Sequence, residues 1–158
     1  MAEDEVEVPG FGLLPHCSFG SSPDIEERLA ALVIVGRKRA TVWDGREENP
    51  TAPGKRWAVM ARGRVVAVME TVAVGRRRFC DIDADFAALE GEGDGSLAFW
   101  RQAHEEYFTP TGAFDPEMWL WWEEFRLVAV IDSALAAAAP AHVAAEEAEA
   151  RAALAARG

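Results

Sequence analysis

Apolar positions at helical spacing follow a strong helix start near residue 21. A serine pair, Ser21 and Ser22, precedes Pro23 and several acidic residues. A serine N-cap, a proline in the first turn and early acids are each typical of a helix N-terminus. The apolar residues that share one face of this helix are Ile25, Leu29, Leu32 and Val33. Gly36 is expected to end the helix.

The remaining pattern predicts strands and two shorter helices. Strands are predicted over residues 40–43, 56–61, 65–74 and 118–131, with a turn at Arg62-Gly63 that joins two of them as a hairpin. Asp83 or Asp85 is expected to cap a helix that runs through residue 89. Asp94 or Ser96 is expected to cap another, which runs to about Phe108. This order of elements predicts an α+β domain with a mostly antiparallel sheet or barrel, flanked by helices.

The two ends of the chain differ from this middle part. Residues 1–10 are acidic and contain Pro9 and Gly10, so we expect a flexible tail there. Residues 133–158 are dominated by alanine, which favours helix but provides few large apolar side chains. Pro140 is expected to divide this segment. We therefore predict one domain over residues 11–132 and an appended, loosely docked helical extension over residues 133–158.

Charge is distributed unevenly along the 158 residues. The net charge is −11, yet residues 36–78 hold eleven of the 16 Lys and Arg residues and only four of the 27 acidic residues. This basic segment carries +7 within an otherwise acidic protein. It either faces an anionic ligand or pairs with local acids on a solvated face. The overall charge favours a small ligand over a long polyanion.

Cysteine usage and hydropathy indicate a cytoplasmic protein without a membrane span. No apolar run reaches the roughly 20 residues that cross a bilayer, and the N-terminus lacks the basic and apolar parts of a secretory signal. Cys17 and Cys80 have no ligand-like spacing and are expected to be free thiols. The histidines are scattered, and no phosphate-binding glycine loop is present. No metal and no cofactor is predicted.

Three groups of residues could carry chemistry. Lys38 lies close to Thr41, and a lysine can activate a hydroxyl by taking its proton or by stabilising the alkoxide. A glycine-rich acidic loop, residues 90–94, could supply an acid or base or a weak cation site. Tryptophans could stack on bases, with Trp43 the first candidate because it follows Thr41 so closely. Each group also has an ordinary structural reading, as surface, capping or core residues.

The chain resembles the ASCH family, and the resemblance covers about residues 11–132. It is carried by Phe19-Gly20-Ser21-Ser22-Pro23, the turn Gly36-Arg37-Lys38-Arg39-Ala40-Thr41, Glu90-Gly91-Glu92-Gly93-Asp94, and residues 96–101 and 123–128. The family implies a PUA-like β-barrel and a link to RNA or its nucleosides. The chain departs from the family pattern at Gly54-Lys55 and at Trp121-Trp122-Glu123-Glu124. The second departure puts the identity of the substrate in doubt.

Some members of the family hydrolyse the acetyl amide of N4-acetylcytidine with a lysine, a threonine and a glutamate. Carried over, these are Lys38, Thr41 and Glu92. The same resemblance suggests substrate contacts from Arg37, Arg39, Trp43, Glu90, Trp100 and Arg101. The expected partner is a nucleoside-like small molecule or single-stranded RNA. An RNA-binding module or ribonuclease is the first alternative, and a non-catalytic interaction protein that docks through its tail helix is the second.

Overall fold

The computed structural model describes residues 4–157, which fold around a six-stranded sheet. The strands are β1 (Glu5–Val8), β2 (Gly12–Cys17), β3 (Ala40–Asp44), β4 (Arg56–Ala61), β5 (Arg64–Arg78) and β6 (Trp119–Val130). The helices are α1 (Pro23–Ile34), α2 (Ala84–Glu90), α3 (Leu97–Phe108) and α4 (Ser133–Arg157). Short 3₁₀ turns occupy Phe79–Asp81 and Thr109–Thr111. The predicted α+β class with helices around a mostly antiparallel sheet is confirmed.

The sheet is open, with strand order β1-β2-β4-β5-β6-β3. β2 pairs with β4 in parallel, and the other pairs are antiparallel. β5 is 15 residues long and pairs with β6 along most of its length. Register shifts at Val68/Met69 and Thr71/Ala73 interrupt this pairing. Bulges of this kind bend and twist a strand. The long strand β5 can therefore pair with β4 near its start and continue along β6 to its end.

Side-chain hydrogen bonds close the first turn of three helices. Ser22 accepts from the Ile25 amide, Asp83 from the Phe86 amide and Ser96 from the Phe99 amide. These contacts satisfy donors that a helix N-terminus leaves unpaired. Local sequence predicted where each helix starts, and the structure selects Ser22, Asp83 and Ser96 among the candidate caps. The turn at Arg62-Gly63 is also confirmed, since both residues have positive φ, 50° and 77°, as a tight hairpin requires.

The cores lie on both faces and at both ends of the sheet. α1 and the first part of α4 pack on β4 and β5 around Leu32, Val59 and Phe125. α2 and α3 pack on the far end of β5 and β6 around Phe86, Trp100 and Leu120. Between these two packed regions, α1 and α3 leave room for the cavity described below.

The acidic N-terminus is more ordered than predicted. Residues 1–10 were expected to be a flexible tail, but Glu5–Val8 pairs with Gly12–Cys17 as a hairpin. Val8 is buried against Ala58 and Val68, so the hairpin covers part of one face of the sheet. Residues 1–3 lie outside the described residues. The prediction relied on the acidic composition of this segment. It overlooked the alternation of acidic and apolar residues in Glu5–Val8, which is typical of a half-buried strand.

The C-terminal helix also differs from the prediction. Pro140 was expected to divide the segment, yet α4 continues through it. Leu135 and Ala139 are buried against α1, and Ala150 is buried farther along the helix. Packing on both sides of Pro140 offsets the backbone hydrogen bond that the proline removes. The apolar residues of α4 are therefore used within the chain, which leaves little for the docking role considered above. None of the helices in residues 4–157 is long and apolar enough to cross a membrane.

Candidate functional site

The turn that follows α1 places Lys38 next to two other elements. Gly36 adopts a left-handed conformation, φ 79°, and the amides of Arg37 and Lys38 both donate to the Leu32 carbonyl. Arg39 N–H donates to the Leu89 carbonyl at 2.7 Å, and the Arg39 carbonyl accepts from the Phe125 amide at 2.9 Å. The turn is thus tied to α1, to the end of α2 and to β6.

Lys38 is a buried cation held by two carboxylates. Its side chain is 0% exposed, and Nζ lies 2.7 Å from Glu92 Oε2 and 3.8 Å from Glu90 Oε1. Nζ also donates to the Ala40 carbonyl at 2.8 Å. Burial opposes the charged form, but Glu92 and Glu90 outweigh it, so the pKa of Lys38 is raised. A lysine that stays protonated cannot accept the proton of a neighbouring hydroxyl.

Glu90 is buried and lies between Lys38 and an aromatic pair on α3. The Trp100 indole N–H donates to Glu90 Oε2, and His104 Nε2 lies 3.2 Å from the same oxygen. His104 Nδ1 donates to the Trp100 carbonyl at 2.8 Å, and the two rings stack with centroids 4.2 Å apart. Because both ring nitrogens face acceptors, the doubly protonated imidazolium fits this arrangement.

The charges of this pair follow from their mutual contact. Burial opposes the charged form of His104, but the Glu90 carboxylate outweighs it and the pKa of His104 is raised. Burial likewise disfavours the Glu90 carboxylate, but His104 and Lys38 outweigh that effect and the pKa of Glu90 is lowered. Two cations thus surround the most deeply buried carboxylate of the site.

Thr41 lies directly opposite Glu123 in the β3–β6 pair. Directly opposed residues of an antiparallel pair project to the same face of the sheet, and both residues line the same cavity. Thr71 Oγ1 donates to Glu123 at 2.5 Å, and a chain of contacts continues through Thr51 to the Trp57 indole. Burial raises the pKa of Glu123, and the Thr71 hydrogen bond and Lys38 offset this only in part.

These groups meet at a cavity of about 670 Å³. Its walls come from α1, α3, the sheet, and the loops before α1 and after β3. Aromatic side chains contribute on several sides: Phe19, Trp43, Trp57 and Tyr107. The ionisable lining residues are Cys17, Glu47, Glu48, Glu90, Glu92, His104, Tyr107 and Glu123. Among the described residues, no lysine or arginine lines it. The cavity is therefore acidic and partly aromatic, within the size range of small-molecule sites.

The family model of the ASCH domain matches residues 16–129, which include the Lys38 turn, Thr41 and the Glu90–Glu92 loop. The chain belongs to the ASCH domain family. No curated protein sequence matches the chain at a significant level.

Two solved structures share this ASCH fold at moderate identity. An ASCH domain from Lactobacillus crispatus is 29% identical, with a TM-score of 0.67, over 72% of this chain and 79% of that one. A protein from Enterococcus faecalis is 26% identical, with a TM-score of 0.66, over 75% of this chain and 83% of that one. The helix α4 lies outside the residues that the ASCH family model matches.

The ASCH domain brings some of the predicted site residues together and leaves others apart. Thr41, Trp43, Glu90 and Glu92 line the cavity, and Lys38 lies behind Glu92. Four predicted substrate contacts are not among the lining residues: Arg37, Arg39, Trp100 and Arg101. Trp100 instead binds Glu90, and Arg37 holds the loop around Glu92. Arg39 and Arg101 are exposed elsewhere.

No lysine or arginine of the basic segment, residues 36–78, lines the cavity. Arg56, Arg62 and Arg64 pair with nearby acids on the surface. For these three residues the structure agrees with the alternative that the basic residues pair with local acids on a solvated face. Arg76, Arg77 and Arg78 instead lie over tryptophan rings of β6. These six arginines therefore add no charge to the acidic lining, whereas Lys38 and Arg37 of the same segment hold the Glu92 loop.

Two residues of the site were not predicted as site residues from the sequence. His104 follows Trp100 by one helical turn, which places both on one face, a spacing that could have joined them to the Glu90 loop. Glu123 is one of two adjacent acids in a largely apolar strand, and the two-residue period puts it on the face of buried Phe125. A carboxylate on the inner face of a strand is a signal for a polar site.

Glu90, Glu92 and His104 also satisfy the spacing of metal ligands, since their ligand atoms lie within 4.8 Å of one another. The Lys38 ammonium is already paired with both carboxylates. Lys38 therefore supplies the positive charge that this acidic cluster needs, and the residues do not require an ion.

Proposed function

We propose that this protein is an amidohydrolase that removes the acetyl group from N4-acetylcytidine or a closely related N-acylated pyrimidine nucleoside. The observation that carries the proposal is the meeting of Thr41 and Glu92 on one cavity, with the Lys38 ammonium 2.7 Å behind Glu92. A hydroxyl, a carboxylate and a fixed cation are the groups that acyl transfer from an amide needs.

The lining favours an uncharged nucleoside over a nucleotide. Five glutamates and no basic side chain of the described residues surround the space, so a phosphate group would be repelled. Trp43 offers a ring face for a base, and the glutamates that line the space accept hydrogen bonds from hydroxyl and amino groups. A volume of about 670 Å³ accommodates a molecule of this size.

The reaction runs through an ester on Thr41. Oγ of Thr41 attacks the acetyl carbonyl carbon, and its proton passes to the Glu92 carboxylate. As the C–N bond breaks, Glu92 gives this proton to N4, so cytidine leaves and the acetyl group remains on Thr41. Water then hydrolyses the ester, which releases acetate and restores the hydroxyl. Lys38 remains protonated, so it serves as a fixed positive charge that holds Glu92 in place.

The test is turnover of N4-acetylcytidine, followed as cytidine and acetate release by chromatography. Thr41→Val keeps the shape of the side chain and removes the nucleophile, so it should abolish turnover, whereas Thr41→Ser should retain part of it. Thr109→Val, at an exposed position outside the cavity, is the matched control. No release by the wild-type protein, or full release by Thr41→Val, would rule out the proposed reaction.

A second candidate function is binding of single-stranded RNA, favoured by a row of side chains across β3, β6 and β5. Trp43 and Trp121 are register partners with rings 6.4 Å apart, and Arg76 lies over both Trp121 and Trp119. Among residues 4–157, Arg76 has no ion pair. An arginine without an ion pair, set among tryptophans, suits stacked bases and phosphates.

This candidate predicts salt-dependent binding of an RNA oligonucleotide. Arg76→Ala should weaken binding and lower the slope of log affinity against log salt by about one. Arg56→Ala, whose guanidinium pairs with Glu70, should have little effect. An affinity for RNA that does not change with salt would exclude this row of side chains as an RNA-binding surface. It would not affect the hydrolase proposal.

A further inference from the structure

The helix α4 reaches the loop that carries Glu92, although it lies outside the matched ASCH residues. The buried Gly93 amide donates to Glu146 Oε1 at 2.9 Å. The next acid on the helix, Glu147, lies 2.5 Å from Arg37 Nη1. Two consecutive carboxylates of α4 thus contact both the site loop and the turn that holds Lys38.

Arg37 connects these two parts. Its Nε donates to the Gly91 carbonyl at 3.0 Å, and Nη2 donates to the Gly93 carbonyl at 2.8 Å. The guanidinium therefore holds the backbone on both sides of Glu92, and Glu147 holds the remaining end of the guanidinium. Such a planar fork is well suited to fix several acceptors at once.

The loop needs an external restraint because of its glycines. Gly91, Gly93 and Gly95 all have positive φ, a conformation that glycine enters at little cost and leaves as easily. At Gly91 a Cβ atom would collide with the backbone of Arg37, so a more rigid residue cannot replace it there. Contacts with neighbouring elements must then set the position of Glu92.

α4 is itself fastened at this point. Glu146 is buried, and Arg28 of α1 lies 3.7 Å from Glu146 and 2.6 Å from Glu149. We propose that Glu146 and Glu147 are positioning residues, which fix the Gly91–Gly93 backbone so that Glu92 faces both Lys38 and the cavity. The catalytic consequence rests on the proposed function, but the fixing of the loop does not.

The experiment measures amide hydrogen exchange of Glu92 and Gly93 by NMR in the full chain. Glu146→Ala removes the acceptor of the Gly93 amide, and exchange at Gly93 should rise by about tenfold or more. Glu146→Gln retains an amide oxygen and should restore part of the protection. Glu147→Ala should raise exchange through the loss of the Arg37 anchor. Arg151→Ala, which removes an exposed charge of the same helix that does not contact the loop, is the control and should leave exchange within about twofold.

Exchange at Val68, in the central strand β5, reports whether the whole fold has been weakened. Unchanged loop exchange in a Glu146→Ala, Glu147→Ala double variant would overturn the proposal, and so would an equal effect of Arg151→Ala. If the wild-type protein turns over N4-acetylcytidine, kcat should fall in Glu146→Ala and Glu147→Ala as exchange of the loop amides rises. If it does not, the exchange result still decides whether α4 positions Glu92.

Discussion

Nζ of Lys38 lies 2.7 Å from Oε2 of Glu92, a residue 54 positions away, and the lysine side chain is fully buried. Each group alone would be strongly disfavoured at this depth, because a buried charge without a partner loses its hydration. The ion pairs of Lys38 with Glu92 and Glu90 therefore form only when the chain is folded, and they favour the fold that brings these residues together. It joins the turn after α1 to the loop after α2.

Replacing Lys38 with methionine should destabilise the protein severely. The substitution keeps the length of the side chain but leaves Glu92 without its cation and Glu90 with His104 alone, at a cost of about 3–5 kcal/mol in the free energy of unfolding. Urea unfolding measures this change. A Lys38→Met, Glu92→Gln double variant should recover part of the loss, because one uncompensated carboxylate is gone.

Arg39→Met is the control for this prediction. Arg39 is the next residue but is exposed and makes no ion pair within residues 4–157, so its replacement should change stability by less than about 0.5 kcal/mol. Similar losses in the two variants would show that the turn tolerates no change, and would argue against a specific role of the buried pair.

Local features of the fold could be predicted from the sequence, since their causes lie within a few residues. The N-cap at Ser22 and the turn at Arg62-Gly63 each follow from the conformational preferences of the residues themselves. The family was also identifiable from short segments, and with it the candidate roles of Lys38, Thr41 and Glu92.

Features that depend on distant partners could not be predicted in this way. The placement of Thr41 opposite Glu123 follows from the β3–β6 register, which the spacing within either strand does not specify. The acidic cavity was missed for a similar reason. A run of basic residues along the chain does not reveal that Arg62 pairs with Glu27 and that Arg76 lies over Trp121, so that neither side chain lines the space that Thr41 enters.

The His104–Glu90 pair should make stability depend on pH. The pKa of His104 is raised above 6.5, so its contribution is fully present below about pH 6.5 and is lost as pH rises through the raised value. The pKa of Glu90 is lowered from 4.5, so its contribution is lost as pH falls through that lower value. The stability advantage of the wild-type protein over His104→Gln should therefore be largest near pH 5–6 and shrink towards pH 9, as measured by urea unfolding.

His142→Gln is the matched control for the pH series. His142 lies 3.6 Å from Glu27 in a more exposed position, where an ion pair contributes little. The difference in unfolding free energy between His142→Gln and the wild-type protein should stay below about 0.5 kcal/mol at each pH of the series. A His104→Gln difference that is constant across this range would contradict a charged His104 in the folded protein.

The two cysteines should differ in reactivity. Burial, together with the Glu123 carboxylate, raises the pKa of Cys17 to about 12, so almost no thiolate is present at pH 8. Cys80 is exposed. In the native Cys80→Ser variant, Ellman's reagent should modify Cys17 slowly, whereas the Cys17→Ser variant should react fully at Cys80. Both variants should react with one equivalent in urea, and rapid native reaction of Cys17 would contradict its assigned environment.

Replacing Pro140 with alanine should stabilise the protein, because α4 continues through an exposed proline that cannot donate its backbone hydrogen bond. The expected gain is about 2 kcal/mol, since the cost of an interior proline is partly offset by its restriction of the unfolded chain. Thermal unfolding provides the measurement.

Pro110→Ala is the control, because a proline at the start of the Thr109–Thr111 turn costs no hydrogen bond and its removal should bring no gain. If α4 holds the Glu92 loop, Pro140→Ala should also slow exchange of the Gly93 amide. A loss of stability in Pro140→Ala would instead mean that α4 is bent to fit α1, and that the proline helps to aim Glu146 at the loop.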